Sequence, residues 1–460
     1  MKFLFINAIN PRKNIETLYP PLGIGYLISS IRNHFRKDIC EFKVIEDDIE
    51  REIIDFKPDI VGISSVSQNY NRAMAFSKVA QKYEIPVLCG GVHISMVPSS
   101  LTEHMDVGVI GEGEETICEL FELFERKGRF ERSDLRKIKG IIYWDDGDRI
   151  AATEKRALVE PLDSLAFPSR DVFKVQRHTY MFTARGCPYR CAFCSSSRFW
   201  GKVRLFSAEY VANEIEDLVT RYNVESIGFY DDIFPINAER VRNIKDILEK
   251  KHILGRVGFT CSIRANMVHD EIIHLLKDLG TKFIGMGLES GCNETLTFLK
   301  GNHINTEDNE RAISIIKKHG ISVVGSFIIG SPEENKPKIL KTLNFVKRSK
   351  LDEFALYVLI PLPGTPIWEY AKSRGLVDET MDWDKLNVNF EESHDSVVIL
   401  SNKLTRREIW RLFLRFNRYR KRKAIYNLII KAFRNPLIIY AFVMKKWRSD
   451  GREMINSVLI

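Results

Sequence analysis

Cys187, Cys191 and Cys194 stand in the run Arg185-Gly186-Cys187-Pro188-Tyr189-Arg190-Cys191-Ala192-Phe193-Cys194, spaced C-x-x-x-C-x-x-C with nothing nearby that looks like a fourth ligand. Three thiolates can hold three irons of a four-iron, four-sulfur cluster, a group that ordinarily takes four cysteines. The fourth iron is then open to a ligand that is not protein, and an open iron implies chemistry. Three cysteines buried together for packing are the alternative. Against it stand Gly186 and Pro188, which shape a tight loop, and the aromatic Phe193 just before the last cysteine. Tyr180-Met181-Phe182-Thr183-Ala184 reads as a short strand, so the cysteines fall at a strand's carboxyl end, where sites lie in barrel-like α/β folds.

This run resembles the signature of the radical S-adenosylmethionine (SAM) enzymes, C-x-x-x-C-x-aromatic-C, with Phe193 as the aromatic. The resemblance implies a [4Fe-4S] cluster on Cys187, Cys191 and Cys194. It also implies SAM chelated at the open iron, an external one-electron reductant, and cleavage of the sulfonium to a 5′-deoxyadenosyl radical.

The elements that must position these groups alternate strand and helix. After the cysteine strand come the runs Ser226–Tyr230, Val257–Cys261, Phe283–Leu288, Ser322–Ile329 and Glu353–Val358. Six strands are too few for a closed eight-unit barrel, and they resemble the partial (β/α)6 barrel of the radical SAM superfamily. Polar residues at their ends suit a SAM pocket. Asp231, Asp232 and Glu289 offer carboxylates for a ribose diol or an ammonium, Arg264 offers a fork of donors for a carboxylate, and Ser262 and Ser326 are small polar neighbours. A carboxylate closing a strand is also often a helix N-cap. The superfamily's G-x-I-x-G-x-x-E pattern is met at Ile328, Gly330 and Glu333, with Ser326 in place of the first glycine.

The first 125 residues show apolar runs at Lys2–Ile6, Phe42–Glu46, Pro58–Ser64, Pro86–Gly91 and Val107–Gly111, alternating with helical stretches. That pattern predicts a doubly wound, Rossmann-like parallel sheet, which binds ligands outside the carboxyl ends of its strands. Gly90-Gly91-Val92-His93 and Gly111-Glu112-Gly113-Glu114 sit at those ends, and neither is a dinucleotide fingerprint; ordinary tight turns are the alternative. With Tyr19-Pro20-Pro21-Leu22-Gly23 they resemble the cobalamin-binding domain that precedes the radical domain in one large subclass. The resemblance implies cobalamin held at Gly90, Gly91, His93, Gly111 and Glu112. The D-x-H-x-x-G motif that places a histidine under cobalt is absent, so His93 is expected in a loop or at the corrin edge and the cofactor base-off.

These readings divide the chain into a cobalamin-binding domain (1–125), a linker with a hairpin over 139–150 (126–177), the radical SAM domain (178–375) and a basic, helical C-terminal region (376–460). The other cysteines, Cys40, Cys89, Cys118, Cys261 and Cys292, are scattered and show no disulfide framework. Met1–Ile6 runs into Asn7 without a signal-peptide pattern, so a reduced, cytoplasmic setting is expected. The net charge is +8, but residues 401–460 hold 16 Lys and Arg against 3 Asp and Glu, while residues 1–400 hold 53 against 58. A cationic, aromatic-bearing tail can lie on an anionic membrane or pack as a solvated basic face; nucleic acid is favoured by charge alone and is not expected.

The resulting expectation is a cobalamin-dependent radical SAM enzyme that methylates an unactivated carbon of a small or lipid-like substrate. Cyclases and rearrangement enzymes of the same subclass are the alternative. A methylthiotransferase on RNA would carry a second cysteine trio, which Cys40, Cys89 and Cys118 do not form. A non-catalytic carrier would cleave no SAM.

Overall fold

The computed structural model describes residues 1–10, 19–35 and 40–434, and the chain divides into a unit from Met1 to Arg406 and a second from Arg407 onward. The first unit opens with β1 (Lys2–Asn7), β2 (Glu41–Ile45), β3 (Ile60–Ser64), β4 (Val87–Gly90), β5 (Val107–Val109), β6 (Ile141–Trp144) and β7 (Ile150–Ala152). They form one sheet in the order β2-β1-β3-β4-β5-β6-β7. β1 to β5 are parallel. Phe3, Leu4, Phe5 and Ile6 are all 3% exposed or less, as a central parallel strand covered on both faces requires.

The hairpin expected in a linker belongs to this sheet. β6 pairs antiparallel with β5, and β7 with β6. Ile141, Ile142 and Tyr143 are buried, and a two-stranded hairpin has too little core to stand alone, so it takes the open edge.

Next come β8 (His178–Met181), β9 (Ala184–Arg185), β10 (Arg204–Leu205), β11 (Ser226–Phe229), β12 (Gly258–Ser262), β13 (Thr281–Glu289), β14 (Ser322–Ile329) and β15 (Glu353–Val358). β9 and β10 make a small antiparallel pair. The others form a parallel sheet in the order β15-β14-β13-β12-β11-β8, open at β15 and β8, which is the partial barrel expected. Burial alternates along these strands. Met181, Phe259, Cys261, Ile284, Met286, Phe327, Phe354 and Leu356 are buried, while Tyr180, Thr260, Ser262, Gly285, Gly287, Ser326 and Ala355 are half-exposed. With a period of two, the second set shares one face, the inner face of the barrel. The helices between strands are capped by Ser207, Asn237, Asn305 and Asn335, each accepting the amide three residues on; a cap of this kind contributes about 1 kcal/mol.

The two sheets share a core. Leu4, Ile6, Val61, Ile63 and Val87 from the first join Ile328, Leu359 and Trp368 from the second in one apolar cluster. The opposite face of the first sheet, with Phe3, Phe5 and Leu88, packs on Ile24, Ile28, Ile117 and Phe121 of the helices Leu22–His34 and Glu114–Lys127. Trp383, Leu386, Val398 and Leu400 are buried in the shared cluster. The stretch from 376 to Arg406 therefore belongs with the first unit and not with a basic tail, because its apolar side chains complete that core.

The helix Arg406–Arg434 follows. Ile409, Leu412, Phe413 and Phe416, at i, i+3, i+4 and i+7, are buried. Among the described residues no helix is long and apolar enough to cross a membrane. Pro436, the run Leu437–Met444 and Trp447 lie outside the described residues.

Candidate active site at the carboxyl ends of both sheets

β9 delivers the chain into the cysteine loop. Gly186, at φ +92, separates Arg185 from Cys187, and a Cβ there would strike the Lys202 carbonyl. Cys187, Cys191 and Cys194 are free and half-buried. The loop is fastened through its backbone. The Ala192 amide donates to the Leu299 carbonyl at 2.8 Å, and Arg198 Nη1 donates to the Cys191 and Cys194 carbonyls at 3.1 and 2.6 Å. Burial, seconded by the Asp232 carboxylate, pushes the Cys187 thiol up to about 11, and burial raises Cys194 too. Both are thiols at neutral pH, so loading iron must expel protons. Among the described residues no trio of His, Cys, Asp or Glu gathers around one point as a single-ion site needs. A four-iron cluster asks for something different, one thiolate to each of three irons, and three free thiols on one pinned loop fit it.

Arg264 leans over this loop. Its Nη1 lies 3.5 Å from Cys191 Sγ, its Nη2 donates to the Lys300 carbonyl at 3.3 Å, and its guanidinium stacks 3.9 Å from the Tyr189 ring. Glu289, at φ +57, folds its carboxylate over Gly287 and pairs with Lys300 Nζ at 3.3 Å. Ser262 and Ser326 lie on the inner face, where Ser262 pairs in register with Gly285 and Ser326 with Gly287 and Ala355. Arg264, Glu289, Ser262 and Ser326 thus share the carboxyl end of the barrel. Lys300 escaped the sequence reading because it lies on a helix, away from any strand end.

Asp231 and Glu333 are engaged away from the expected pocket. Asp231 accepts from the Thr183 amide at 2.7 Å, the Ala184 amide at 3.1 Å and the Thr183 hydroxyl. Buried and so engaged, it braces the strand before the cysteines and does not face a ligand; burial lifts its pKa to about 6. Its neighbour Asp232 is exposed and accepts from Ser196 Oγ at 2.7 Å, which leaves it beside the cysteines. Phe193 packs against the shared core, half-exposed. In the G-x-I-x-G-x-x-E pattern, Glu333 turns outward to Lys403 at 3.2 Å. The adjacent Glu334 is the buried one, accepting the Gly330 amide at 2.7 Å.

On the first sheet, Gly91 has φ +98, and a Cβ there would lie 2.6 Å from the Ser65 carbonyl oxygen. The close approach of the Ser65 backbone, just past β3, thus requires the glycine. Gly90 and Gly111 are open: an added Cβ meets nothing closer than Val109 at 3.9 Å for Gly90 and nothing within 4 Å for Gly111. A wide group can approach them. His93, expected in a loop or at the corrin edge, is 0% exposed in the helix Val92–Met96. Its ring lies 3.8 Å from that of Tyr70 and 4.3 Å from that of Trp383, and Nδ1 is 3.1 Å from Ser67 Oγ. Tyr70, tilted by 32°, and Trp383, edge-on at 75°, enclose the ring, and burial lowers its pKa to about 3.

Glu112 is the other departure. Both its oxygens are spent, on Arg185, on Arg204 Nη1 at 2.7 Å and on the Val159 amide at 2.8 Å. Arg185 also reaches Glu114 and lies 5.2 Å from the rings of both Tyr26 and Trp200. All four charged side chains are buried. They tie the Gly111 turn of the first sheet to the strand that leads into the cysteines.

The model of the B12 binding domain matches residues 12–121, and that of the radical SAM superfamily matches residues 181–346. An uncharacterized methyltransferase of Pyrococcus horikoshii is 32% identical over 391 residues, covering 81% of this chain and 83% of that protein. The chain belongs to the B12-binding radical SAM enzyme family. The cofactors of this radical SAM enzyme are accordingly a [4Fe-4S] cluster, SAM and cobalamin. An anaerobic magnesium-protoporphyrin IX monomethyl ester cyclase of Rubrivivax gelatinosus is 25% identical over 84% of this chain and 72% of its own length. The radical SAM methyltransferase TsrM of Kitasatospora setae, solved with tryptophan and a SAM analogue, shares the fold with a TM-score of 0.66 at 18% identity, covering 82% of this chain and 77% of its own.

Proposed function

We propose that this cobalamin-dependent radical SAM enzyme methylates an unactivated carbon of a small, largely apolar or lipid-like substrate. The observation that carries the reading is the buried bridge from Glu112 and Glu114 to Arg185, which fixes the open Gly111 turn and the cysteine loop in one frame. A methyl group carried at one edge and a hydrogen abstracted at the other must meet within an ångström or so of the productive geometry, and such positioning is worth several orders of magnitude in rate.

When bound, cluster and SAM supply a hydrogen-abstracting radical and cobalamin supplies the methyl group. Cys187, Cys191 and Cys194 would hold the cluster. Arg264 presents its planar fork to a carboxylate beside Cys191, and Glu289, already paired with Lys300, offers an acceptor at the next strand end. Ser262, Gly285, Gly287, Ser326 and Ala355 leave room on the inner face for an adenosine and keep it uncharged. Gly90 and Gly111 leave room at the first sheet and would border a bound corrin. Support also comes from the methyltransferase relative of Pyrococcus horikoshii. The cyclase relative of Rubrivivax gelatinosus supports ring closure as the second reading.

Protein reconstituted anaerobically with iron, sulfide and hydroxocobalamin, reduced, and given SAM with a deuterated methyl group separates the two. Methylation consumes two SAM and two electrons per turnover and forms S-adenosylhomocysteine and 5′-deoxyadenosine in equal amounts, with label in the product. Ring closure forms 5′-deoxyadenosine alone, and no 5′-deoxyadenosine at all rejects both.

A further inference from the structure

We infer that Tyr19, Tyr180 and Tyr230 form the wall of the substrate site and select a flat, uncharged, conjugated ring system. The inference rests on the reaction proposed above, and it assigns the substrate class that the cofactors leave open.

The three tyrosines come from separate parts of the chain. Tyr19 lies on the segment between β1 and the helix Leu22–His34, at the carboxyl edge of the first sheet; Tyr180 is in β8, and Tyr230 follows β11. Tyr19 stacks on Tyr230 with centroids 4.7 Å apart and planes 14° from parallel, and Tyr180 lies 4.7 Å from Tyr19 and 5.8 Å from Tyr230. Phe182 extends the row at 5.2 Å from Tyr230, and Trp200 lies 6.4 Å beyond it. Rings gathered for packing alone would be expected to close over one another, yet Tyr230 keeps 41% of its surface exposed.

Position says what meets that surface. Two residues beyond Tyr230, Asp232 accepts from Ser196 in the cysteine loop, and Tyr19 belongs to the edge proposed above for cobalamin. The row therefore spans the seam between the two cofactor edges, where a substrate that exchanges a hydrogen for a methyl group must lie. Chemistry says which substrate. The inner-face residues Thr260, Ser262, Gly285, Gly287, Ser326 and Ala355 carry no charge, the Glu289 carboxylate is paired with Lys300, and the exposed carboxylate beside the row, Asp232, is engaged by Ser196. Burial raises the Tyr180 and Tyr230 hydroxyls to about 12, so the wall is neutral at working pH. A ring that stacks gains from every face offered, whereas a charged or heavily hydroxylated molecule would be stripped of water without replacement.

The test uses 2-naphthol and its saturated counterpart decahydro-2-naphthol as probes, titrated into the full-length protein by saturation-transfer NMR. 2-Naphthol should bind and the saturated ring should bind several-fold more weakly. Tyr230→Leu should weaken 2-naphthol by roughly two- to tenfold, the worth of one aromatic pair, without moving the saturated probe. Tyr230→Phe should restore it, and Tyr83→Leu, at a tyrosine 39% exposed elsewhere on the surface, should change nothing. Equal binding of the two probes, or an unchanged 2-naphthol affinity in a folded Tyr230→Leu protein, overturns the inference. Neither probe needs cluster or SAM. A protein that discriminates the probes through Tyr230 yet cleaves no SAM keeps the ring site and loses only the proposed reaction.

Discussion

Arg185 Nη2 lies 2.5 Å from Glu114 Oε1, joining the strand that enters the cysteine loop to the helix that closes the first sheet. Both side chains are buried, and Glu112 adds a second carboxylate to the same guanidinium. A buried charge that loses its partner keeps its desolvation cost.

Arg185→Ala is therefore expected to be strongly destabilising, by about 3–5 kcal/mol, because it leaves the buried Glu114 without its cation and Glu112 with Arg204 alone. Thermal unfolding of the cofactor-free protein is the measurement. Arg156→Ala, at an arginine paired with the exposed Glu115 and Glu119, should move the midpoint far less. Equal midpoints for the two variants would reduce the Arg185 bridge to decoration.

Cys191→Ala should leave two thiols that cannot retain the cluster. Anaerobic reconstitution should then give iron near background and no 5′-deoxyadenosine, and Cys187→Ala and Cys194→Ala should behave alike. Cys261→Ala and Cys40→Ala should load iron as the unaltered protein does. Full iron content in the Cys191→Ala protein would remove the thiol from the ligand set.

The cysteine loop and the two parallel sheets were legible because their signals are local: a spacing of eight residues in one case, short apolar runs in the other. Asp231 shows where legibility stops. A carboxylate at a strand end looks the same in sequence whether it binds a ligand, caps a helix or clamps a backbone, and its partner Thr183 is 48 residues away. Glu112 meets Arg185 and Arg204 at separations of 73 and 92 residues, which no local pattern encodes. His93 could not be placed because the ring that covers it, Trp383, comes from a stretch assigned to the tail. The hairpin was read correctly as two strands, but its attachment to β5 depends on an open sheet edge visible only in three dimensions.

His93 predicts a pH dependence. Burial holds its folded pKa near about 3 against an ordinary value of 6.5, so the unfolded chain binds the proton first. Stability should fall as pH drops below 6.5 and level off near about 3, at up to about 1.4 kcal/mol per pH unit. His93→Phe removes the proton-binding ring while keeping an aromatic between Tyr70 and Trp383, so its unfolding midpoint should depend less on pH between 6.5 and 4. Corrinoid binding should be unchanged by this substitution, since the His93 ring is buried against Tyr70 and Trp383. An unchanged pH slope in the variant would place the titration elsewhere.

The helix Arg406–Arg434 carries the last prediction. Arg418, Lys421, Arg422, Ile425, Tyr426 and Ile429 fall at i, i+3, i+4, i+7, i+8 and i+11, one stripe of the helix opposite the buried face of Ile409, Leu412, Phe413 and Phe416. On that stripe Ile425 is 59% exposed, Tyr426 64% and Ile429 47%, an arrangement that water alone does not reward. Cations beside exposed apolar side chains suit the surface of an anionic bilayer, where each basic residue contributes about 1 kcal/mol and the apolar tips enter the headgroup boundary. Full-length protein should float with vesicles containing anionic lipid and not with neutral ones. Binding should weaken from 0.05 to 0.5 M salt as the Debye length shrinks from roughly 14 to 4 Å. Ile425→Ser with Tyr426→Ser should reduce recovery at low salt, where the charges still attract. Equal recovery on neutral and anionic vesicles, or recovery untouched by the double substitution, would make the stripe an ordinary solvated helix face.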